Sequence, residues 1–131
     1  MDTSFIVVLA TPKDCHHARA VELSQGLSTN PGSIVTSRAV LIEIGNAWSE
    51  TRHRDASVNI LSNLHADPRI GIVELDREQY ERAIELYSNR RDKELGLTDC
   101  ASFLIMRERG ISQALNSDDH FVQAGFQALP L

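Results

Sequence analysis

The chain has 131 residues, with 13 Lys plus Arg against 18 Asp plus Glu, a formal net charge of −5. At 42% apolar, 24% charged and 5% aromatic, residues 1–131 read as one globular domain able to bury a core without a disulfide or metal staple. Two cysteines are too few for a zinc cluster, the acidic balance excludes nucleic-acid binding by bulk charge, and the longest apolar run, Phe5 to Ala10, is too short for a membrane span; a reduced, cytoplasmic protein is expected.

The first segment, Phe5 to Leu9, is rich in β-branched residues and reads as a strand by propensity. His16 to Leu27 has a weak helical period, and Ser33 to Thr36 is a short strand. Ser37 can cap a helix running to about Thr51, with Val40, Leu41, Ile44, Ala47 and Trp48 on one face. Asp55 can cap the next helix, which turns Ile60, Leu61 and Leu64 inward. Ile70 to Leu75 is a strand, and Asp76 then caps a helix whose clearest face is Tyr80, Ala83, Ile84 and Tyr87. Thr98 is positioned to cap Asp99 to Arg109, an apolar helix ended by Gly110. Gln113 to Leu115 is a short strand, His120 to Ala124 a helical turn stopped by Gly125, and Ala128 to Leu131 a last edge strand.

Strands alternating with helices predict a three-layer α/β/α sandwich around a mostly parallel sheet, with its site outside the carboxyl ends of the strands. Dinucleotide-binding, phosphate-loop, serine-hydrolase and zinc-protease motifs are all absent, and His16-His17 lacks helical ligand spacing. The acids remain. Asp2 adjoins an apolar run, Glu43 interrupts Leu41-Ile42-Glu43-Ile44, Asp99 opens the most apolar helix, and Asp118 follows a strand. Converging at one end of a sheet, four such carboxylates would repel one another and would hold Mg²⁺ or Mn²⁺. Asp99 and Asp118 also suit helix caps, and periodicity leaves both readings open.

The residues around these acids carry a resemblance. The stretches Met1 to Phe5, Arg38 to Ala47, Asp92 to Cys100 and Ala114 to Phe126 resemble the four signature blocks of PIN-domain proteins, in order and across the chain. The nearest group is the bacterial proteins similar to VapC-type toxins. The resemblance implies a five-stranded parallel sheet of order 3-2-1-4-5 and a metal-dependent ribonuclease. Asp2, Glu43, Asp99 and Asp118 are its implied catalytic and Mg²⁺ or Mn²⁺ ligands, and Asp92 a candidate fifth, outer acid. Thr3 and Ser4 could bond a water or phosphate, and Asn116 stands where these proteins usually have threonine. Arg52 and Arg54, with His53 between them, and Arg90, Arg91 and Lys93 are candidate contacts to RNA phosphates, and equally suit helix ends. His120 could approach the cleft or serve the core. A small antitoxin partner and a homodimer are implied as well.

One departure stands out. Only Met1 precedes Asp2, so the first strand of that fold is expected to be truncated, and Thr3 to Leu9 would be the helix after it despite its β-branched residues. A catalytically impaired PIN relative, acting as an RNA-binding or structural module, is therefore the alternative reading. A phosphoacceptor domain of the receiver type is disfavoured, because Lys13 and Lys93 are the only lysines and neither is suitably placed.

Overall fold

The computed structural model describes residues 1–91, 94–116 and 120–129. Their elements run α1 (Thr3–Leu9), α2 (His17–Gly26), β1 (Ile34–Ser37), α3 (Arg38–Ala47), a 3₁₀ turn (Thr51–His53), α4 (Arg54–Ala66), β2 (Ile70–Val73), α5 (Arg77–Asn89), α6 (Leu97–Arg109), β3 (Gln113–Ala114), α7 (His120–Gln123) and β4 (Gln127–Ala128). Strands and helices alternate as the sequence pattern requires.

The strands form two parallel pairs. β1 lies beside β2 in the register Ile34↔Ile70 to Ser37↔Val73, and β3 beside β4 at Gln113↔Gln127 and Ala114↔Ala128. Met1 and Asp2 join the pairs. The amino group of Met1 donates to Val35 O at 2.9 Å, Thr36 Oγ1 donates to Met1 O at 3.1 Å, and Asp2 N–H donates to Leu115 O at 2.9 Å. These two residues hold the central place in the order β2-β1-(Met1–Asp2)-β3-β4. That is the expected 3-2-1-4-5 arrangement with its first strand reduced to two residues.

The run after Asp2 is a helix, which settles the conflict at Phe5 to Leu9 against strand propensity. Asp2 caps α1 by accepting from Ser4 N–H at 3.4 Å and from Ser4 Oγ at 3.0 Å. The helix buries Phe5, Ile6 and Val8 and packs on α2 and α3. Each such side chain contributes about 1.5–3 kcal/mol on burial, more than the few tenths by which β-branching disfavours a helix. Thr11 Oγ1 bonds Val7 O at 2.6 Å near the helix end.

Several boundaries differ from the pattern-based expectation. α3 stops at Ala47, where Trp48 leaves helical geometry, rather than at Thr51. α4 starts at Arg54 behind His53, so Asp55 lies in the first turn rather than at the cap. α6 starts at Leu97 behind Gly96, so Thr98 is inside the helix. Ser37 and Asp76 do cap, by accepting from Val40 N–H at 3.2 Å and Gln79 N–H at 2.8 Å. Gly110 takes the left-handed geometry that ends α6, with φ of 67°. Tyr80, Ile84 and Tyr87 are exposed, and only Ala83 of the α5 face is buried, against α6.

Two apolar clusters result. The first joins Phe5, Ile6, Val8, Ile34, Val40, Leu41 and Ile44 with Leu115. The second gathers Leu95, Cys100, Phe103, Met106, Ala114 and Phe121, with Phe126 packed against it. Phe103 and Phe121 meet edge to face at 5.0 Å, an arrangement the ring quadrupoles favour. Cys15 is exposed and Cys100 buried.

Candidate active site at the carboxyl edge of the sheet

Asp2 ends the central two-residue strand and is 3% exposed. Three local facts fix it: its N–H is held by Leu115 O, its residue caps α1, and its Oδ2 accepts from the Ser4 hydroxyl. Ser4 therefore orients the carboxylate, where contact with a water or phosphate is expected from the sequence. A serine two residues after a helix-capping aspartate is the available sequence signal for it. Thr3 Oγ1 is buried and has no hydrogen-bond partner among the described residues.

Asp99 lies in the first turn of α6, its side chain 13% exposed. Its Oδ2 accepts from Gly96 N–H at 3.1 Å and stands 3.3 Å from His120 Nδ1. Asp99 thus sits at the third position of the helix and bonds back to the N-cap backbone N–H. Asn116 is buried just after β3. Through Leu115 the same segment touches Asp2, and through His120 it touches Asp99, so residues 115 and 120 tie the two acids to one region of the molecule.

Glu43 sits half-buried in the second turn of α3, the helix that begins where β1 ends. Its side chain takes part in no hydrogen bond or ion pair among the described residues. Asp118 and Asp92 lie outside the described residues, as does Lys93. Among the described residues no group of three or more His, Cys, Asp or Glu side chains stands close enough to hold a metal ion. The donor set present nevertheless suits a hard divalent cation, since it consists of carboxylate and hydroxyl oxygens. The half-buried Glu43, with no ion pair among the described residues, leaves negative charge for such a cation to neutralise.

The basic candidates are engaged locally. Arg52 Nε donates to Glu50 Oε2 at 2.8 Å and Arg54 donates to Ser49 O at 2.6 Å. Arg38, at the start of α3, contacts His65 near the end of α4, so these helices form a hairpin with Arg52 and Arg54 at its tip. Ten helical residues put that tip roughly 15 Å from Ser37. Arg91 Nε bonds Ser88 O.

Two groups near the acids have displaced acidities. Burial takes the amino terminus of Met1 down from 8.0 to about 6, opposed by the Asp2 charge. Burial, and then the charge of Asp99, push the Cys100 thiol up, so this cysteine is no nucleophile at neutral pH.

Known proteins share this organisation. The family model described as PIN domain matches residues 1–127. The 23S rRNA-specific endonuclease VapC20 of Mycobacterium tuberculosis, in strains CDC 1551 and H37Rv, is 32% identical over 130 residues, covering 96% of this chain and 93% of that protein. A crystal structure of M. tuberculosis VapC20, described there as a Sarcin-Ricin loop cleaving toxin, matches with a TM-score of 0.83 at 26% identity, over 95% of this chain and 93% of that one.

Proposed function

The chain belongs to the PIN-domain family, and on that premise we propose that it is an endoribonuclease that hydrolyses RNA phosphodiesters with Mg²⁺ or Mn²⁺, as the toxin of a toxin–antitoxin pair. The observation that carries this reading is likeness along nearly the whole chain, in sequence and in fold, to an endonuclease acting on 23S rRNA. The position of Asp2 at the carboxyl edge of the sheet, bonded to Leu115, and the approach of His120 to Asp99 support it.

In this mechanism Asp2, Glu43, Asp99 and Asp118 would hold the cation. When bound, the cation lowers the pKa of an attacking water and offsets charge on the scissile phosphate. The chain supplies orientation. Ser4 fixes Asp2, and Gly96 N–H with His120 fixes Asp99. Thr3 and Asn116 would donate hydrogen bonds to phosphate oxygens, and no side chain acts as nucleophile. Arg52 and Arg54 would meet RNA only by leaving their present partners, which makes them secondary contacts. A small antitoxin, a homodimeric state and a cytoplasmic location complete the proposal. In keeping with the last, no helix among the described residues is long and apolar enough to cross a membrane.

The test is cleavage of a labelled RNA hairpin by the purified protein with Mn²⁺ or Mg²⁺. EDTA should abolish cleavage, and Asp99→Asn should reduce it at least about 100-fold, the scale of losing one positioned electrostatic group. Cleavage by Asp99→Asn at the original rate refutes the assignment. One other reading is an impaired relative that binds RNA without cutting it. That protein would give no cleavage and no thermal shift with Mn²⁺, whereas a cation bound only to the folded state must raise Tm.

A further inference from the structure

A groove of about 500 Å³ runs between the last turns of α5 and the segment that leads into α6, the size of a small-ligand cleft. Ile84 and Tyr87 line it from α5, Glu94 and Leu95 from the segment before α6, and Arg90 and Arg91 from the helix end. Packing does not account for these side chains. Tyr87 is 49% exposed and Ile84 40%. Arg90 is half-buried, and neither it nor Glu94 makes a hydrogen bond or ion pair among the described residues. Arg91 commits its Nε to Ser88 O.

The dipole of α5 favours cations at this end. It does not explain an exposed ring, an aliphatic patch and a carboxylate beside them. Together these groups have the chemistry of a pocket for one nucleotide. An aromatic ring stacks on a base, guanidinium groups meet phosphates, and a carboxylate accepts from an exocyclic amino group.

The groove also adjoins the candidate active site. Leu95 lines it, and the next residue, Gly96, donates its N–H to Asp99 Oδ2 at 3.1 Å. The Cα of Leu95 is therefore within about 6 Å of that carboxylate oxygen. The charge of Arg90 also acts on the thiol of Cys100, the residue after Asp99.

We propose that this groove is a nucleotide subsite for the RNA substrate, holding one unpaired base with an exocyclic amino group close to the phosphodiester that is cut. The proposal rests on the nuclease reading for its ligand and adds the contact that selects it. Tyr87 stacks on the base, Glu94 accepts from its amino group, and Arg90 and Arg91 meet the neighbouring phosphates. Uracil, with an oxygen in place of the amino group, sets an acceptor against the Glu94 carboxylate and is rejected. A paired base cannot reach the ring, so the subsite takes nucleotides from loops and single strands.

The test separates binding from cutting. Affinity for labelled single-stranded oligo-C and oligo-U is read by fluorescence anisotropy in EDTA, where cation-dependent cleavage is off. Oligo-C should bind more tightly than oligo-U, and Glu94→Ala should erase that preference. Tyr87→Ala should weaken oligo-C binding about fivefold or more, and Tyr87→Phe, which keeps the ring, should restore it. Arg90→Ala should weaken both oligomers alike and reduce the salt slope by about one. Tyr80→Ala, on the same helix outside the groove, should leave affinity unchanged. Undiminished oligo-C affinity in Tyr87→Ala overturns the subsite even if the protein cleaves RNA. So do a loss that Tyr87→Phe fails to restore, equal affinity of the starting chain for the two oligomers, and a dimer that Tyr87→Ala dissociates without change in RNA affinity, which would make this face a contact between copies. Base-selective binding through Tyr87 by a protein that does not cut supports the subsite and removes the nuclease reading alone.

Discussion

The two halves of the sheet are built differently. On the amino side, β1 and β2 pair over four residues each and are backed by aliphatic side chains from α1, α3 and α4. On the carboxyl side, β3 and β4 pair over two residues each, and the packing is aromatic, with three of the four phenylalanines of the chain, Phe103, Phe121 and Phe126, in mutual contact. Where main-chain pairing is short, ring packing takes over. At the sheet, Met1, Asp2 and Leu115 form the main-chain seam between the halves, with α3 against α6 beside it, and the buried carboxylate stands on that seam. A charged group there is held by both halves, so its position reports whether they remain docked.

The largest expected effect comes from breaking the aromatic half. Phe103→Ala should cost about 3–5 kcal/mol in urea unfolding, the usual loss for a fully buried ring. If the seam couples the halves, one cooperative transition moves to lower urea; two separated transitions would show that they unfold independently. A smaller effect belongs to the seam. Between pH 8 and pH 6 the unfolded chain takes up a proton at the amino terminus, while the folded chain, with Met1 held at about 6, does not. Stability of the metal-free protein should therefore fall as pH drops through this window, by no more than about 1.4 kcal/mol per unit. A flat profile in urea titrations at pH 8, 7 and 6 would mean that the amino terminus is solvated and the seam open. Smallest is Ser37→Ala, which removes the cap of α3 in the aliphatic half and should cost about 1 kcal/mol. A loss several times greater would show that Ser37 also supports the strand junction.

Much of this was legible in the residues because the signals were local. Ser37, Asp76, Gly110 and Gly125 mark element ends by side-chain or backbone chemistry within a few residues. The illegible parts depended on distant contacts. Ile6, Val7 and Val8 favour a strand until the Asp2 cap and the faces of α2 and α3 are present to hold a helix. The period of Tyr80, Ile84 and Tyr87 shows that α5 is amphipathic, yet α5 meets the second cluster through Leu86 and bonds Glu108 through Gln79 and Arg82, so these large side chains stay outside. At the site, Asp2, Glu43 and Asp99 stood out as acids in apolar surroundings or at helix starts. The bond from Gly96 N–H to Asp99 follows the N-cap-to-N3 spacing, but the approach of His120 to Asp99 joins residues 21 apart, which no spacing rule encodes. The joining of two strand pairs by Met1 and Asp2 was equally hidden, since it rests on backbone groups alone.

The contrast between Cys15 and Cys100 has a practical side. One thiol is open to solvent, and the other lies inside the aromatic half with its acidity suppressed. A maleimide dye therefore labels the native protein once, at Cys15, and in air two molecules cross-link through that residue alone. Cys100 reacts only when the carboxyl half opens, so the appearance of a second label serves as a clock for that opening, written into the chain without any engineered probe.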